Sequence, residues 1–543
     1  MIDKEKVLLL GTLSICIFTI AGLTFNTAII NAKSETVKKY ITTADATYVP
    51  VSPTDVSNPP LPNQLEDYAK KGYGKYVKSK GLDYVVRTDL LKSGYAVDTK
   101  KSRTSLLNFF TMSDIHITDI QSPAQVLAFG IKPGMVAAYS PTIMYTTQVL
   151  EAAVESVNDI NAAHKLDFGI MLGDAVNNAQ QNEVDMYLDV LTGRMVYPNS
   201  DLTKASDTDY TQPFKAEGLD IPWYQVSGNH DHFWSGKFQA NDKLLKGLTS
   251  DTVLKIGASP LSNPLYADDV YPGIVDVKDP FGKIIGYGLN FTEADRIAAN
   301  STRSFIDSKA LAGSFPGGHG IGGDSSEAPT ACYSFEPKAN VPIRVIVLDD
   351  TADQKHEFAS ATDAAYGYMD TERFNWFSKE LAKAKNDKML VIVSLHIPLG
   401  VGIWATDSEI SDTKLINLIR KYSNVAMVTA GHRHVNSVTA FASPNPSKPE
   451  NGFWQVETAS LRDFPQQYRI YDIELCDDNM IAIKTTNVDP LNTILANVSR
   501  SYAIGISQIL PSPPLAGAPI DPSGAYNAIL YKKISSEMAK ELK

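Results

Sequence analysis

Histidine, aspartate and asparagine side chains recur along the 543-residue chain at the ends of apolar runs. Each of these clusters follows a stretch that is typical of a buried β-strand. The candidate ligands are Asp114, His116, Asp174, Asn229, His396, His432 and His434. Oxygen and nitrogen donors without a thiolate suit Zn, Mn, Fe or a similar divalent ion, whose identity the sequence leaves open. The set is too large for one tetrahedral ion, whereas two ions that share a carboxylate would use all of it.

Two of the clusters are pairs of ligands separated by one residue. Asp114 precedes His116 by two positions, and His432 precedes His434 by the same interval. Residues two apart in an extended segment point the same way, so we expect each pair to grip a metal ion from one side. A lone Asp-x-His or Gly-Asp is usually only a turn, but five such clusters in succession are improbable by chance.

Strands and helices alternate around these clusters. The apolar pattern predicts strands at 106–112, 168–172, 223–226, 343–348, 389–394 and 425–429, and a hairpin with arms at 469–475 and 480–485. Helices are predicted after Ser140-Pro141 and at 371–385 and 414–421. Every cluster therefore stands where a strand gives way to a loop, which is where α/β sheets bind ligands.

The series Asp-x-His, Gly-Asp, Gly-Asn-His-Asp, His and Gly-His-x-His resembles, in this order, the calcineurin-like metallophosphoesterase family over roughly residues 106–487. The resemblance implies an α/β (α+β) fold, a four-layer αββα sandwich of two mixed β-sheets flanked by helices, here with a long insertion. It also implies that one ion is held by Asp114, His116, Asp174 and His434. Asp174 would bridge to a second ion, held also by Asn229, His396 and His432.

The activity implied by the resemblance is hydrolysis of a phosphoric mono- or diester, or of a pyrophosphate, by a hydroxide that bridges the two ions. His230 would orient the phosphate or protonate the leaving oxygen, with a purely structural role as the alternative. Asp231 is expected to hydrogen-bond the other nitrogen of His230 and to fix its tautomer. Purple acid phosphatases, which resemble this family, carry a metal-binding tyrosine where this chain has Asn177, so a tyrosinate–iron site is not expected. We interpret Asn177 as a residue that supports the ligands, with helix capping as the alternative.

Two arginines are candidate phosphate clamps. They are Arg433, within the last cluster, and Arg462. For Arg462, a local ion pair with Asp463 is the favoured alternative. The sequence does not choose the substrate, because contacts to the leaving group come from loops and from the insertion.

Composition limits the partners. The formal net charge is −11 and no long Lys/Arg block occurs, so a nucleic-acid partner is not expected. A small phosphate ester is the expected substrate, and the oligomeric state is left open. Two alternatives remain: a catalytically silent binding protein of the cell envelope on the same fold, and a scaffold whose metals only stabilise it.

The chain is predicted to have four parts. Residues 1–32 read as a signal peptide or N-terminal anchor, since lysines precede an apolar run at 7–30. Residues 33–105 are predicted to be an N-terminal extension, 106–487 the catalytic domain with an insertion at about 232–342, and 488–543 a tail that packs on the domain. The predicted location is outside the cell, in the periplasm or cell envelope, or anchored to the membrane. Cys332 and Cys476 would then be either a disulfide or two separate thiols.

Overall fold

The computed structural model describes the chain from residue 42 onward, with internal gaps. The described residues are 42–62, 64–92, 103–122, 140–198, 200, 209–237, 240, 242–249, 299–315, 328–352, 354, 356, 363–490, 493–510, 525 and 527–543. The predicted signal peptide or anchor therefore lies outside the described residues, as does much of the predicted insertion. Within the described ranges, no helix is both long enough and apolar enough to cross a membrane.

The strands are numbered here in chain order. They are β1 (Ala46–Pro50), β2 (Tyr76–Lys80), β3 (Val85–Arg87), β4 (Thr104–Met112), β5 (Phe168–Met171), β6 (Met195–Val196), β7 (Phe214–Lys215), β8 (Trp223–Gln225), β9 (Tyr333–Phe335), β10 (Ile343–Val347), β11 (Leu390–Ser394), β12 (Val425–Ala430), β13 (Ser437–Phe441), β14 (Phe453–Glu457), β15 (Tyr468–Cys476), β16 (Met480–Val488) and β17 (Ala528–Lys533). The α-helices are α1 (Leu65–Lys71), α2 (Thr146–Ala163), α3 (Gln181–Leu191), α4 (Asp242–Thr249), α5 (Ser308–Ser314), α6 (Thr371–Asn386), α7 (Asp412–Ile419), α8 (Ile494–Ile509) and α9 (Ser536–Glu541).

Two mixed β-sheets carry the candidate ligands. The first has the strand order β3-β17-β16-β15-β4-β5-β8, and within it β4, β5 and β8 run parallel. The second has the order β13-β14-β12-β11-β10-β9, and β10, β11, β12 and β14 run parallel between two antiparallel edge strands. The carboxyl ends of neighbouring parallel strands meet at one edge of a sheet, so each sheet brings its own polar clusters together.

The side chains of each strand point alternately to the two faces of its sheet, and each face packs against a different layer. Phe109 of β4 and Ile392 of β11 belong to one buried apolar cluster that the two sheets share. The neighbouring Phe110 instead joins a cluster with residues of α2, α3 and α8, and Val393 joins one with residues of α6 and α7. Because successive side chains of a strand point to opposite faces, each sheet packs on the other sheet with one face and on helices with the other. The predicted fold, two mixed sheets flanked by helices, is confirmed.

Both ends of the described chain add strands to the first sheet. β17 pairs antiparallel with β16, and β3 pairs in parallel with β17. β3 belongs to the predicted extension and β17 to the predicted tail, so the sheet continues past the boundaries at 106 and 487. These two segments are integral parts of the sheet.

The described part of the predicted insertion lies against the loops of the polar clusters. Arg303 is fully buried and forms an ion pair with Asp119, with 2.9 Å between Nε and Oδ2. Gln181 at the start of α3 donates its backbone N–H to the carbonyl of Ser304. Cys332 and Cys476 are separate free thiols, which decides between the two alternatives that the sequence left open.

Candidate metal centre

The carboxyl ends of five parallel strands deliver the candidate ligands. β4 is followed by Asp114 and His116, β5 by Asp174, β8 by Asn229, β11 by His396, and β12 by His432 and His434. All of them are buried except His432, which is partly exposed. The side chains that the sequence selected from five distant segments thus come together at one place.

One cluster of donor atoms gathers around Asp114. His434 Nε2 lies 3.2 Å from Asp114 Oδ1 and 3.2 Å from His116 Nε2. Asp174 Oδ2 completes the group at 3.7 Å from His116 Nε2. Asp114, His116, Asp174 and His434 each present one ligand atom within 4.8 Å of the others.

A second cluster begins at the same aspartate. His396 Nε2 lies 3.4 Å from Asp174 Oδ2 and 3.2 Å from His432 Nδ1. Asn229 Oδ1 is 3.1 Å from His396 Nε2 and 3.0 Å from His432 Nδ1. Asp174 therefore stands between the two clusters, where a bridging carboxylate is required.

The hydrogen bonds around these clusters fix which atoms face inward. His396 Nδ1 lies 2.6 Å from the carbonyl oxygen of Leu172, which can only accept, so Nδ1 carries a hydrogen. The amide nitrogen of Asn229 donates to the carbonyl of Gly236 at 2.8 Å, which turns Oδ1 toward the histidines. With the hydrogen on Nδ1, a neutral His396 ring would present a bare Nε2 to an amide oxygen and a carboxylate oxygen. Either a proton on Nε2 or a metal ion must then lie between these atoms.

The electrostatics agree with this requirement. Although burial opposes the shift, the carboxylate of Asp174 raises the pKa of His396 to about 10. Burial likewise opposes the effect of Asp114, which nevertheless raises the pKa of His434 to about 9. In addition, Asp114 Oδ1 is buried and faces His434 Nε2 at 3.2 Å and His116 Nε2 at 3.9 Å. A centre that draws in positive charge and turns carboxylate oxygens toward imidazole nitrogens fits two divalent ions. How the ligands divide between two ions remains a prediction.

The backbone of the paired ligands differs from the sequence-based expectation. Asp114 and His116 have φ of 51° and 53°, and His432 and His434 have φ of 68° and 56°. These segments are left-handed and not extended, so the predicted geometry of the pairs was wrong. The side chains converge because the chain coils tightly at the strand end.

Glycines allow these turns to pack against the ligands. A Cβ on Gly173 would lie 2.5 Å from His396 Nδ1, and one on Gly228 would overlap the Asp174 carboxylate. A Cβ on Gly431 would come within 2.8 Å of Asp114 Oδ2. The glycine of each Gly-Asp, Gly-Asn and Gly-His motif is therefore required by the close approach of another strand end.

His230 lies beside the first cluster but offers it no ligand atom within the groups above. Its ring packs edge-on against that of His116, with 4.4 Å between the centroids. Its Nδ1 lies 2.9 Å from the carbonyl oxygen of Asn177, so Nδ1 carries a hydrogen and Nε2 is left for a substrate. Burial lowers the pKa of His230 to about 4, although Asp174 acts in the opposite direction.

Asp231 does not make the predicted contact with His230. Its Oδ2 accepts the backbone N–H of Gly228 at 2.8 Å, and its Oδ1 accepts that of Val176 at 3.1 Å. The carbonyl of Asn177 takes the place predicted for this carboxylate. Asp231 thus fixes the backbone of two ligand-bearing loops, and its predicted hydrogen bond to His230 was wrong.

Two residues beyond the predicted set support the ligands. Asp463 Oδ2 accepts from His434 Nδ1 at 2.7 Å, which directs His434 Nε2 to the centre. Asp350 accepts the backbone N–H of His396. Asp350 follows a predicted strand in the same way as the ligands do, so its position carried a usable signal, whereas Asp463 was considered only as a partner for Arg462.

The candidate phosphate clamps are engaged within the protein. Both guanidinium contacts of Arg433 reach Glu457, at 2.6 and 2.7 Å. Arg462 is buried and donates to Asp463 at 2.8 Å and to Asn177 Oδ1 at 3.0 Å. For Arg462 the structure thus shows the ion pair that was the favoured alternative, and Asn177 supports both this arginine and His230.

Comparison with known proteins adds a relative. No family model matches the chain. Over 101 residues it is 33% identical to a probable glycerophosphodiester phosphodiesterase GpdQ of Arcobacter nitrofigilis. The aligned stretch covers 18% of this chain and 33% of that protein. The chain thus matches about a third of the length of this curated relative.

Solved structures align over more of the chain but with little identity. A dimetal phosphatase from Danio rerio is 12% identical, covers 71% of this chain and 99% of that one, and gives a TM-score of 0.35. A putative 5′-nucleotidase from Staphylococcus aureus is 10% identical, covers 71% and 54%, and gives a TM-score of 0.29. In its ordered motifs, its two ligand clusters and this partial sequence similarity, the chain resembles the calcineurin-like metallophosphoesterases.

Proposed function

We propose that this chain is an exported phosphoesterase that uses two divalent metal ions to hydrolyse a small phosphoric ester. The observation that carries the proposal is the arrangement of Asp174, Asn229 and His396. Their inward-facing atoms are a carboxylate oxygen, an amide oxygen and the imidazole nitrogen opposite the hydrogen-bonded Nδ1, and they adjoin a second cluster of the same kind. Two bound ions would supply an activated water and neutralise charge on the phosphate.

The protein's own residues would divide the remaining work. Asp114, His116, Asp174 and His434 would hold one ion, and Asp174, Asn229, His396 and His432 the other. His230 would face the substrate through Nε2, because Asn177 already occupies Nδ1. An anionic phosphate next to Nε2 would oppose the effect of burial on the pKa and favour the imidazolium. The imidazolium can then donate the Nε2 proton to the leaving oxygen.

Asn229 suits this role as a neutral ligand. An amide oxygen binds a cation without adding to the negative charge that an anionic substrate must approach. The name of the curated relative makes a glycerophosphodiester the first diester to test. A phosphomonoester with the same leaving group is the matched alternative.

The decisive experiment is a metal analysis combined with paired assays. The purified full chain is analysed for bound metals. It is then assayed with a phosphomonoester and a phosphodiester that share a leaving group, with Mn²⁺ or Zn²⁺ supplied. We expect about two ions per chain and hydrolysis of at least one ester. A chain that binds no metal, or that hydrolyses neither ester, would overturn the proposal.

Export is tested separately. Supporting it are the lysines and the apolar run of residues 1–32 in the sequence. Mass spectrometry of the N-terminus after expression in the native host should find cleavage near residue 32 or a membrane-bound intact chain. An intact chain in the cytosolic fraction would refute export without touching the enzymatic proposal.

A further inference from the structure

Asp350 lies behind the ligand set and binds the backbone of the loop that carries His396. Its side chain follows β10 and is fully buried. Oδ1 accepts the N–H of His396 at 3.1 Å and that of Ile397 at 3.2 Å, and Oδ2 accepts the N–H of Ile397 at 3.1 Å. The carboxylate therefore caps two donors at the point where the chain leaves the sheet after β11.

The other contacts of His396 involve its ring and its carbonyl, and the N–H groups of His396 and Ile397 are bound by Asp350. The ring is held through Nδ1 by the Leu172 carbonyl, and the His396 carbonyl accepts from Gly431 N–H at 2.9 Å. Leu395 N–H makes the last contact of this segment to β12, with Thr429. Asp350 supplies the partner for the N–H groups that follow, and so completes the restraint on His396.

The full burial of Asp350 distinguishes this arrangement from an ordinary turn. In the part of the chain that the structure describes, its side chain has backbone N–H groups as partners and no ion pair. A buried carboxylate without a cationic partner is costly, and backbone donors alone could equally be satisfied by neutral groups. Its three backbone contacts instead restrain the segment that carries His396, a ligand of the second cluster.

We propose that Asp350 is a positioning residue that fixes the His396 loop and thereby sets the affinity of the metal ion held with His396. The ion held with His434 is left largely unaffected. This inference rests on the proposed dinuclear centre and adds a residue outside the ligand set, with an effect on one ion only.

Asp463 provides the matched control. It holds His434 through the ring, by the 2.7 Å contact to Nδ1, in the other cluster. Substitution of Asp350 should therefore weaken the binding of one ion, and substitution of Asp463 should weaken the binding of the other. Both Asp350→Asn and Asp463→Asn change side-chain size little, and only the second also removes an ion pair, with Arg462. The binding step that each variant weakens therefore reports on which ion each residue serves.

The experiment is a metal titration of the full chain. Wild type, Asp350→Asn, Asp350→Ala and Asp463→Asn are stripped of metal and titrated with Co²⁺, which is followed by calorimetry and by its visible absorption. His396→Ala and His434→Ala mark which binding step belongs to which ion. We expect Asp350→Asn to weaken one step by about 10–100-fold and the other by less than about threefold. Asp350→Ala should bind Co²⁺ still more weakly at that step. Asp463→Asn should instead weaken the step that Asp350→Asn leaves nearly unchanged.

Double variants test the path of the effect. Adding Asp350→Asn to His396→Ala should change Co²⁺ binding little further, because the step that depends on Asp350 is already lost. Adding it to His434→Ala should give a chain in which both steps are weaker than in wild type, one through each substitution. Wild-type affinity at both steps in Asp350→Asn, or equal weakening of both, would overturn the inference. If Asp350→Ala does not fold by circular dichroism, Asp350→Asn still decides, because it keeps an acceptor for the backbone. A wild-type chain that binds no ions would instead refute the proposed function.

Discussion

Gly236→Ala tests how the chain holds the two side chains that meet the metals and the substrate. Gly236 has φ of 66°, and its carbonyl accepts from the Asn229 amide. A Cβ at this position would overlap the His230 ring and lie 2.6 Å from Asn229 Nδ2, where ordinary contacts begin at 3.4 Å. The substitution adds a single methyl group and removes no polar group, so its effect reports on the positions of the His230 ring and the Asn229 amide.

The expected magnitude follows from two separate costs. A positive φ in a residue with a Cβ costs about 1–2 kcal/mol of stability. The overlap adds a second cost, because the imidazole and the amide must retreat by roughly 1 Å. A displacement of that size in catalytic groups lowers turnover by about 10²-fold. We therefore expect Gly236→Ala to lose about that factor in kcat at saturating metal.

Gly402→Ala is the matched control for the backbone cost. Gly402 has φ of 78°, and a Cβ there would meet nothing within 4 Å. We expect it to lose a similar 1–2 kcal/mol of stability while kcat changes by less than about twofold. The assay compares kcat on a phosphodiester, metal content and thermal unfolding for both variants. If both variants keep full activity, or lose it equally, the contact between Gly236 and His230 does not govern catalysis.

Three further predictions test the roles of single residues. Asn229→Ala should lose one metal, whereas His230→Ala should keep both by elemental analysis and slow turnover by about 10²–10⁴-fold; equal metal loss in both would contradict this division. Asp231→Asn should lower stability by about 1–3 kcal/mol, because an amide nitrogen then faces a backbone N–H; a fall in kcat to match His230→Ala at unchanged stability would instead make it catalytic. Burial lowers the pKa of Lys532 to about 7. Above that pH the unfolded chain binds a proton that the folded chain does not, so the stability of wild type relative to Lys532→Met should rise with pH between about 7 and 10, at most ~1.4 kcal/mol per unit. A flat difference would mean that Lys532 stays charged.

The ligands could be predicted from the sequence because each of them interrupts a local apolar pattern. A carboxylate or imidazole directly after a buried strand, as at Asp174 and His396, is improbable as packing and therefore conspicuous. Asp350 stands in the same position after β10 and could have been found by the same rule. Asp463 could not, because its partner His434 is 29 residues away and the adjacent Arg462 offers a simpler local explanation.

The strands that the sequence placed outside the domain show a different limit. β17 has an ordinary strand pattern, but its place in the sheet depends on pairing with β16 and with β3. The pairing of Ala528 with Val85 joins segments more than four hundred residues apart. Strand propensity depends on such partners, and periodicity along the chain does not contain them.

The backbone conformation of the ligands gives a second physical reason for the residue types at these positions. Asp114, His116, Asp174, His432 and His434 all have φ between 51° and 68°. Aspartate and histidine enter this left-handed region several times more readily than most residues with a Cβ, and β-branched residues hardly enter it. A tight left-handed turn at a strand end aims consecutive side chains at one point, which an extended segment would not do. The residue types that bind the ions are thus also those that tolerate the turn. A substitution such as His116→Val would therefore remove a ligand and also strain the backbone that places Asp114.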